Sequence, residues 1–170
     1  MNETSPEESS IHSTGLTMRR AQATDLPRMV ELLANDPIGR RRERFSDPLP
    51  DSYRRAFDAI ERDPNQLLAV CCRGSRVIGV LQITFLPYLT YQGGWRALIE
   101  GVRTAVEARA QGVGRFMFEW AIEQAVSRGC HIVQLTTDKA RPDAVRFYTA
   151  LGFTASHEGM KLHLSAGHSE

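Results

Sequence analysis

Arg109-Ala110-Gln111-Gly112-Val113-Gly114-Arg115 is the stretch on which the reading of this 170-residue chain turns. It stands between an apolar, strand-like run ending near Ala105 and a helical repeat through Phe116, Met117, Trp120, Ala121 and Ala125. The first turn of a helix carries backbone N–H groups with no acceptor inside the helix. Together with the positive end of the helix dipole they suit an anion such as a pyrophosphate. Glycine at 112 and 114 removes the Cβ atoms that would hold phosphate oxygens off the backbone. Arg109 and Arg115 can add charge. Glycines ahead of a helix are also ordinary turn punctuation, so the turn by itself leaves both readings open. A dinucleotide fold is a rival, because Asp138 follows the next strand where a ribose-binding acid would stand. That pattern requires a third glycine where this chain has Met117, and no phosphate-loop lysine follows.

Outward from the turn, helical and strand periods alternate. Thr17 to Arg20 reads as an edge strand, and Thr24 as the N-cap of a helix whose apolar face is Leu26, Met29, Val30 and Leu33. Residues 36–50 hold three prolines and the basic cluster Arg40, Arg41, Arg42 and Arg44, and read as loop or broken helix. Tyr53, Ala56, Phe57 and Ile60 give a second helix that stops at Pro64. Leu67–Cys72 and Arg76–Leu86 form a hairpin around Arg73-Gly74-Ser75. A loop with Tyr88, Tyr91 and Trp95 leads to a strand from about Ala97 to Ala105. After the glycine turn the helix ends at Gly129, and His131 to Thr137 is expected as a buried strand. Pro142 opens a last helix with Ala144, Phe147, Tyr148 and Leu151 on one face and Gly152 at its end. Short strands are expected at Phe153–Ser156 and Lys161–Leu164. This order predicts an α/β fold: one mixed, mostly antiparallel central sheet with helices on both faces.

The totals are consistent with a single domain over residues 17–166, preceded by a polar, Ser-rich tail over residues 1–16 that reads as disordered. A net charge of +1 supplies no overall field for nucleic acid or an anionic membrane. No apolar run reaches bilayer length. Cys71, Cys72 and Cys130 lack metal-ligand spacing and read as reduced, structural thiols, which with the absence of a secretory signal points to the cytoplasm. No metal is expected.

The pairing of Arg109-x-x-Gly112-x-Gly114 after a strand with Ala144-x-x-Phe147-Tyr148-x-x-Leu151-Gly152-Phe153 resembles the GNAT superfamily of N-acetyltransferases, over about Thr17 to Leu164 and most strongly from Ile99 to Phe153. The resemblance implies acetyl-CoA lying between two parallel strands that splay apart, here ending near Thr104 and Thr137. It implies pantetheine pairing with the backbone of Val102, Arg103 and Thr104, and pyrophosphate on the backbone of Gln111, Gly112, Val113, Gly114 and Arg115. Family members often carry valine at the place of Thr104 and asparagine at that of Arg141, two departures here.

An amine of lysine-like basicity is about three pKa units from being free at neutral pH, a cost of roughly 4 kcal/mol. A base acting directly or through water offsets it. Glu100 resembles the carboxylate many family members use, with Asp138 or a water chain as alternatives and a salt bridge to Arg96 or Arg103 as its structural explanation. Tyr148 matches the family's tyrosine that protonates the departing thiolate, although its periodicity also fits a packed core residue. The resemblance implies direct attack in a ternary complex on a small-molecule or peptide amine, and makes a homodimer reasonable. Arg40 to Arg44 and the loop from Tyr88 to Trp95 fall where family members shape the acceptor pocket, though charge runs are ordinarily solvated surface. His131, His157 and His163 have no metal spacing. A CoA-sensing or interaction module without transfer activity, and a dinucleotide- or S-adenosylmethionine-dependent enzyme, are the rival classes.

Overall fold

A computed structural model describes residues 15–36, 39–138 and 142–164. The chain divides after Leu135 into two compact units. The first is built on a five-stranded sheet in sequence order, β1 (Leu16–Arg20), β2 (Gln66–Arg73), β3 (Arg76–Pro87), β4 (Trp95–Thr104) and β5 (Cys130–Leu135). Neighbours pair antiparallel except β4 with β5, which run parallel. Between them come α1 (Leu26–Ala34), α2 (Asp51–Arg62), a helical turn α3 (Thr90–Gly93) and α4 (Val113–Ser127).

The expected hairpin forms because Gly74 takes φ +59° at the turn, a conformation glycine adopts without penalty. Ala69, Val70, Cys71 and Cys72 are consecutive and all buried, so both pleat directions of β2 are covered and the sheet has helices on each face. On one face lies α4, whose Met117, Phe118, Trp120, Ala121 and Ala125 are buried. Gly79 of β3 lets it approach: a Cβ there would stand 2.6 Å from Met117 Sδ. Each large side chain buried in this way contributes about 1.5–3 kcal/mol.

The cap of α1 differs from expectation. Thr24 lies inside a 3-10 turn, Ala23–Asp25, and it is Asp25 that holds the turn. Its carboxylate accepts the Gln22 N–H at 2.8 Å and the Arg19 guanidinium at 2.6 Å, two charge-assisted bonds that a hydroxyl could not match. Leu32, with Met29 and Val30, fills the buried face in place of Leu33, and on α2 only Phe57 is buried. Part of the loop after Pro87 coils into α3, where Tyr91 and Gln92 take left-handed φ values of 53° and 58°.

The strand expected to be buried over 131–137 is instead the short edge strand of the described sheet. It ends at Leu135, short of Thr137, and its His131 and Ile132 are exposed. In the second unit α5 (Pro142–Ala150) follows its pattern: Ala144, Phe147, Tyr148 and Leu151 are half-buried and the residues between them exposed. Gly152 takes φ +91° just past its end. The two closing strands do not form. Residues 153–164 carry no strand, and Met160, Leu162 and Leu164 are 95, 86 and 79 % exposed. Alternation of apolar and polar residues marks which face a strand would bury, but a strand exists only when a neighbour takes its ladder bonds. Of the tail expected over 1–16, residues 1–14 lie outside the described residues, as does Arg141, while Leu16 is buried at the start of β1.

Candidate active site

The parallel pair is short: β5 ends at Leu135, and β4 outruns it. Pairing of β4 with β5 runs from Trp95 opposite Cys130 to Ile99 opposite Leu135 and then stops, while β4 continues to Thr104 along β3. A bulge interrupts the β3–β4 register just beyond Ile99. Val80 faces Arg103 and Gln82 faces Glu100, so two residues, Gly101 and Val102, stand against Leu81 alone. Gly101 takes φ +62° to make it. The backbone of Val102, Arg103 and Thr104 therefore has β3 on one side and no described strand on the other.

The bulge also decides direction. Glu100 and Arg103 are an odd number of residues apart, which in a regular strand would send them to opposite faces. The extra residue puts both on the face shared by their partners Gln82 and Val80. There Arg103 reaches Asp36, just after α1, at 3.4 Å, and also donates to the Val102 carbonyl at 2.7 Å. Arg96, on the same face, lies 4.9 Å over the Tyr88 ring. Neither arginine engages Glu100, which is exposed and makes no ion pair among the described residues. The same face carries a polar ledge beside Glu100, where Gln66 Oε1 accepts from Gln82 Nε2 at 2.8 Å and from Thr84 Oγ1 at 3.0 Å.

The glycine turn follows β4 through a 3-10 turn, Val106–Ala108, and opens α4. Gly112 is the N-cap residue, at φ 78°, and no atom lies within 4 Å of where its Cβ would stand. Phe116 N–H is bonded to Gly112 O at 3.0 Å, so Val113 and Gly114 N–H precede the helical ladder and have no acceptor within the helix. Gln111 Nε2 ties back to the Glu107 carbonyl at 2.6 Å. Arg109 is exposed, and Arg115 is an exposed partner of Glu119 at 3.4 Å. This is an open, backbone-lined cradle at a helix N-terminus, where unpaired N–H groups and the helix dipole favour an anion. Tyr148 belongs to the second unit, where its ring meets those of Phe147 and Phe153 edge-on at 5.4 and 6.0 Å. Asp138 lies in irregular chain of that unit. Among the described residues no group of three His, Cys, Asp or Glu side chains could hold a metal ion.

A profile of the Acetyltransferase (GNAT) family matches residues 27–153. The chain belongs to the GNAT acetyltransferase family. This GNAT enzyme is 28 % identical over 106 residues to the aminoalkylphosphonate N-acetyltransferase of Salmonella typhimurium, covering 62 % of this chain and 68 % of that one. A solved structure of a transcriptional regulator from Bacillus halodurans is 59 % identical, with a TM-score of 0.86 over 88 % of this chain and 99 % of that one. Glucosamine-6-phosphate N-acetyltransferase from Arabidopsis thaliana shares the fold, with a TM-score of 0.72 at 18 % identity over 88 % of this chain and 99 % of that one. The family uses acetyl-CoA.

Gly101 is the residue of this GNAT site that the sequence reading passed over. Its signal was there: a lone glycine within a strand pattern marks a bulge or a close backbone approach. Asp36 and Gln82 carried no such signal, since their partners Arg103 and Gln66 come only from tertiary pairing.

Proposed function

We propose that this chain moves an acetyl group from acetyl-CoA to a primary amine by direct attack in a ternary complex. The observation that supports the proposal is that β5 ends at Leu135, opposite Ile99, while β4 runs on to Thr104 and leads through a short turn to the Gly112 cradle. In this reading the β4 backbone at Val102–Thr104 pairs with pantetheine, and the backbone from Gln111 to Arg115 takes the diphosphate, with Arg109 adding charge. The bound thioester supplies an activated acetyl carbon.

Glu100 accepts a proton from the acceptor ammonium, directly or through one water, and leaves a neutral amine to form the C–N bond. A β4 N–H near Val102–Thr104 stabilises the negative charge that gathers on the carbonyl oxygen as the C–S bond breaks. Tyr148 donates a proton to the sulfur, and the proton that the nitrogen sheds as the amide forms restores the phenol through water. Its assignment rests on its place in the family's last-helix motif, that of Glu100 on its exposed carboxylate, which makes no ion pair among the described residues, in β4 just past the end of β5. Thiol release from acetyl-CoA with a panel of amines tests the reaction, and calorimetric titration with CoA tests the site. Absence of CoA binding refutes the whole reading.

A second reading is favoured by one observation, the 59 % identical chain described as a transcriptional regulator. In it the cradle binds CoA as a signal and transfers nothing. CoA binding without thiol release across the amine panel would select it.

A further inference from the structure

We infer, resting on the transfer reading above, that the acceptor amine carries a phosphonate or phosphate group and that Arg40, Arg41 and Arg42 bind it. These arginines are exposed on and beside a 3-10 turn, Gly39–Arg41, and none has a carboxylate within 4.0 Å among the described residues. The acid next in sequence, Glu43, is engaged elsewhere: it accepts from Tyr53 Oη at 3.1 Å.

The run is held at both ends. Asp36 accepts the Gly39 N–H on Oδ2 at 2.9 Å and the Arg40 N–H on its backbone oxygen at 2.8 Å. Gly39 is packed so closely on the end of α1 that a Cβ would fall 2.0 Å from Leu33 O. At the other end Arg44 N–H donates to Tyr53 Oη at 2.8 Å.

Its location selects the occupant. The Arg103–Asp36 pair pins the start of the loop to β4 on the face that also presents Glu100, and Arg40 is one helical turn from Asp36. The glycine cradle opens α4, which packs on the opposite face against Gly79. The arginine arch therefore stands on the acceptor's side of the sheet and not on the side assigned to the cofactor's diphosphate. A guanidinium fork matches a tetrahedral oxyanion bidentately, and three long, flexible arginine side chains rooted in one turn offer more than one fork to a dianion. An amine at Glu100 with its anion turned toward the arch satisfies both ends.

The test measures kcat/KM on full-length enzyme for two matched pairs: 2-aminoethylphosphonate against propylamine, and glucosamine 6-phosphate against glucosamine. Wild type is expected to favour the phosphorus-bearing member by about tenfold or more, the weight of one good ionic contact. In R40Q/R41Q/R42Q that preference collapses through a raised KM, while R40K/R41K/R42K, which keeps charge but loses the forks, retains part of it. Methylphosphonate should compete with the amine and not with acetyl-CoA in wild type, a readout that survives if the triple variant misfolds. Equal use of neutral amines, a preference that persists in R40Q/R41Q/R42Q, or a rise confined to the KM for acetyl-CoA would overturn the inference and leave the transfer reading standing. Failure to bind CoA would overturn both.

Discussion

Gly112 carries two burdens, a left-handed φ of 78° and an open side toward any bound anion. Gly112→Val strains the N-cap by about 1–2 kcal/mol and fills the cradle, so it should weaken CoA binding far more than it lowers the melting temperature; equal losses would deny the cradle. Glu100→Gln should lower kcat by about 10²- to 10⁴-fold with unchanged CoA affinity, as read by steady-state kinetics beside calorimetry. Tyr148→Phe should lower turnover more than cofactor affinity, and unaltered turnover would remove its acid role. The places of Gly112 and Gly114 at a helix start and of Glu100 in a strand were legible because both are local facts. That Glu100 escapes both neighbouring arginines was not legible, because the choice of Arg103 for Asp36 is made across 67 positions of sequence.

Among the elements, the opening of the first helix depends on Asp25, whose carboxyl is held below its usual range chiefly by the Arg19 guanidinium. The folded state thus binds that proton more weakly than the unfolded chain. Its contribution is complete above the ordinary carboxylate value of about 3.9 and disappears as pH falls through the lower folded value. Asp25→Asn should cost about 1–3 kcal/mol near neutrality, and denaturant titrations should show the wild-type advantage shrinking only in strong acid. Where α4 crosses β3, Gly79→Ala should overpack against Met117 and cost about 1–3 kcal/mol, measured in the same way. Helices and the hairpin were readable because their periods arise within one element. The closing strands were not, since the sequence of residues 153–164 specifies a face and no partner.

For the molecule as a whole, binding to the folded state alone should raise stability by about 2.7 kcal/mol at a hundredfold excess of CoA over its dissociation constant. That is roughly 2–4 °C of melting temperature per kcal/mol in a domain of this length. Cys71 is fully buried, and burial pushes its thiol up to about 12. Native protein should therefore leave Cys71 unalkylated at pH 8 and release it to iodoacetamide only on unfolding, as counted by mass spectrometry. Gly101 reaches further than either. The extra residue there sets the facing of every position that follows in β4, so the gene can change letters in this strand more safely than it can change length. Removing one codon would act as a frameshift in space, turning the Arg103 cation from its acid toward the packed underside of the sheet. Substitutions nearby grade an activity; a deletion there would abolish a protein.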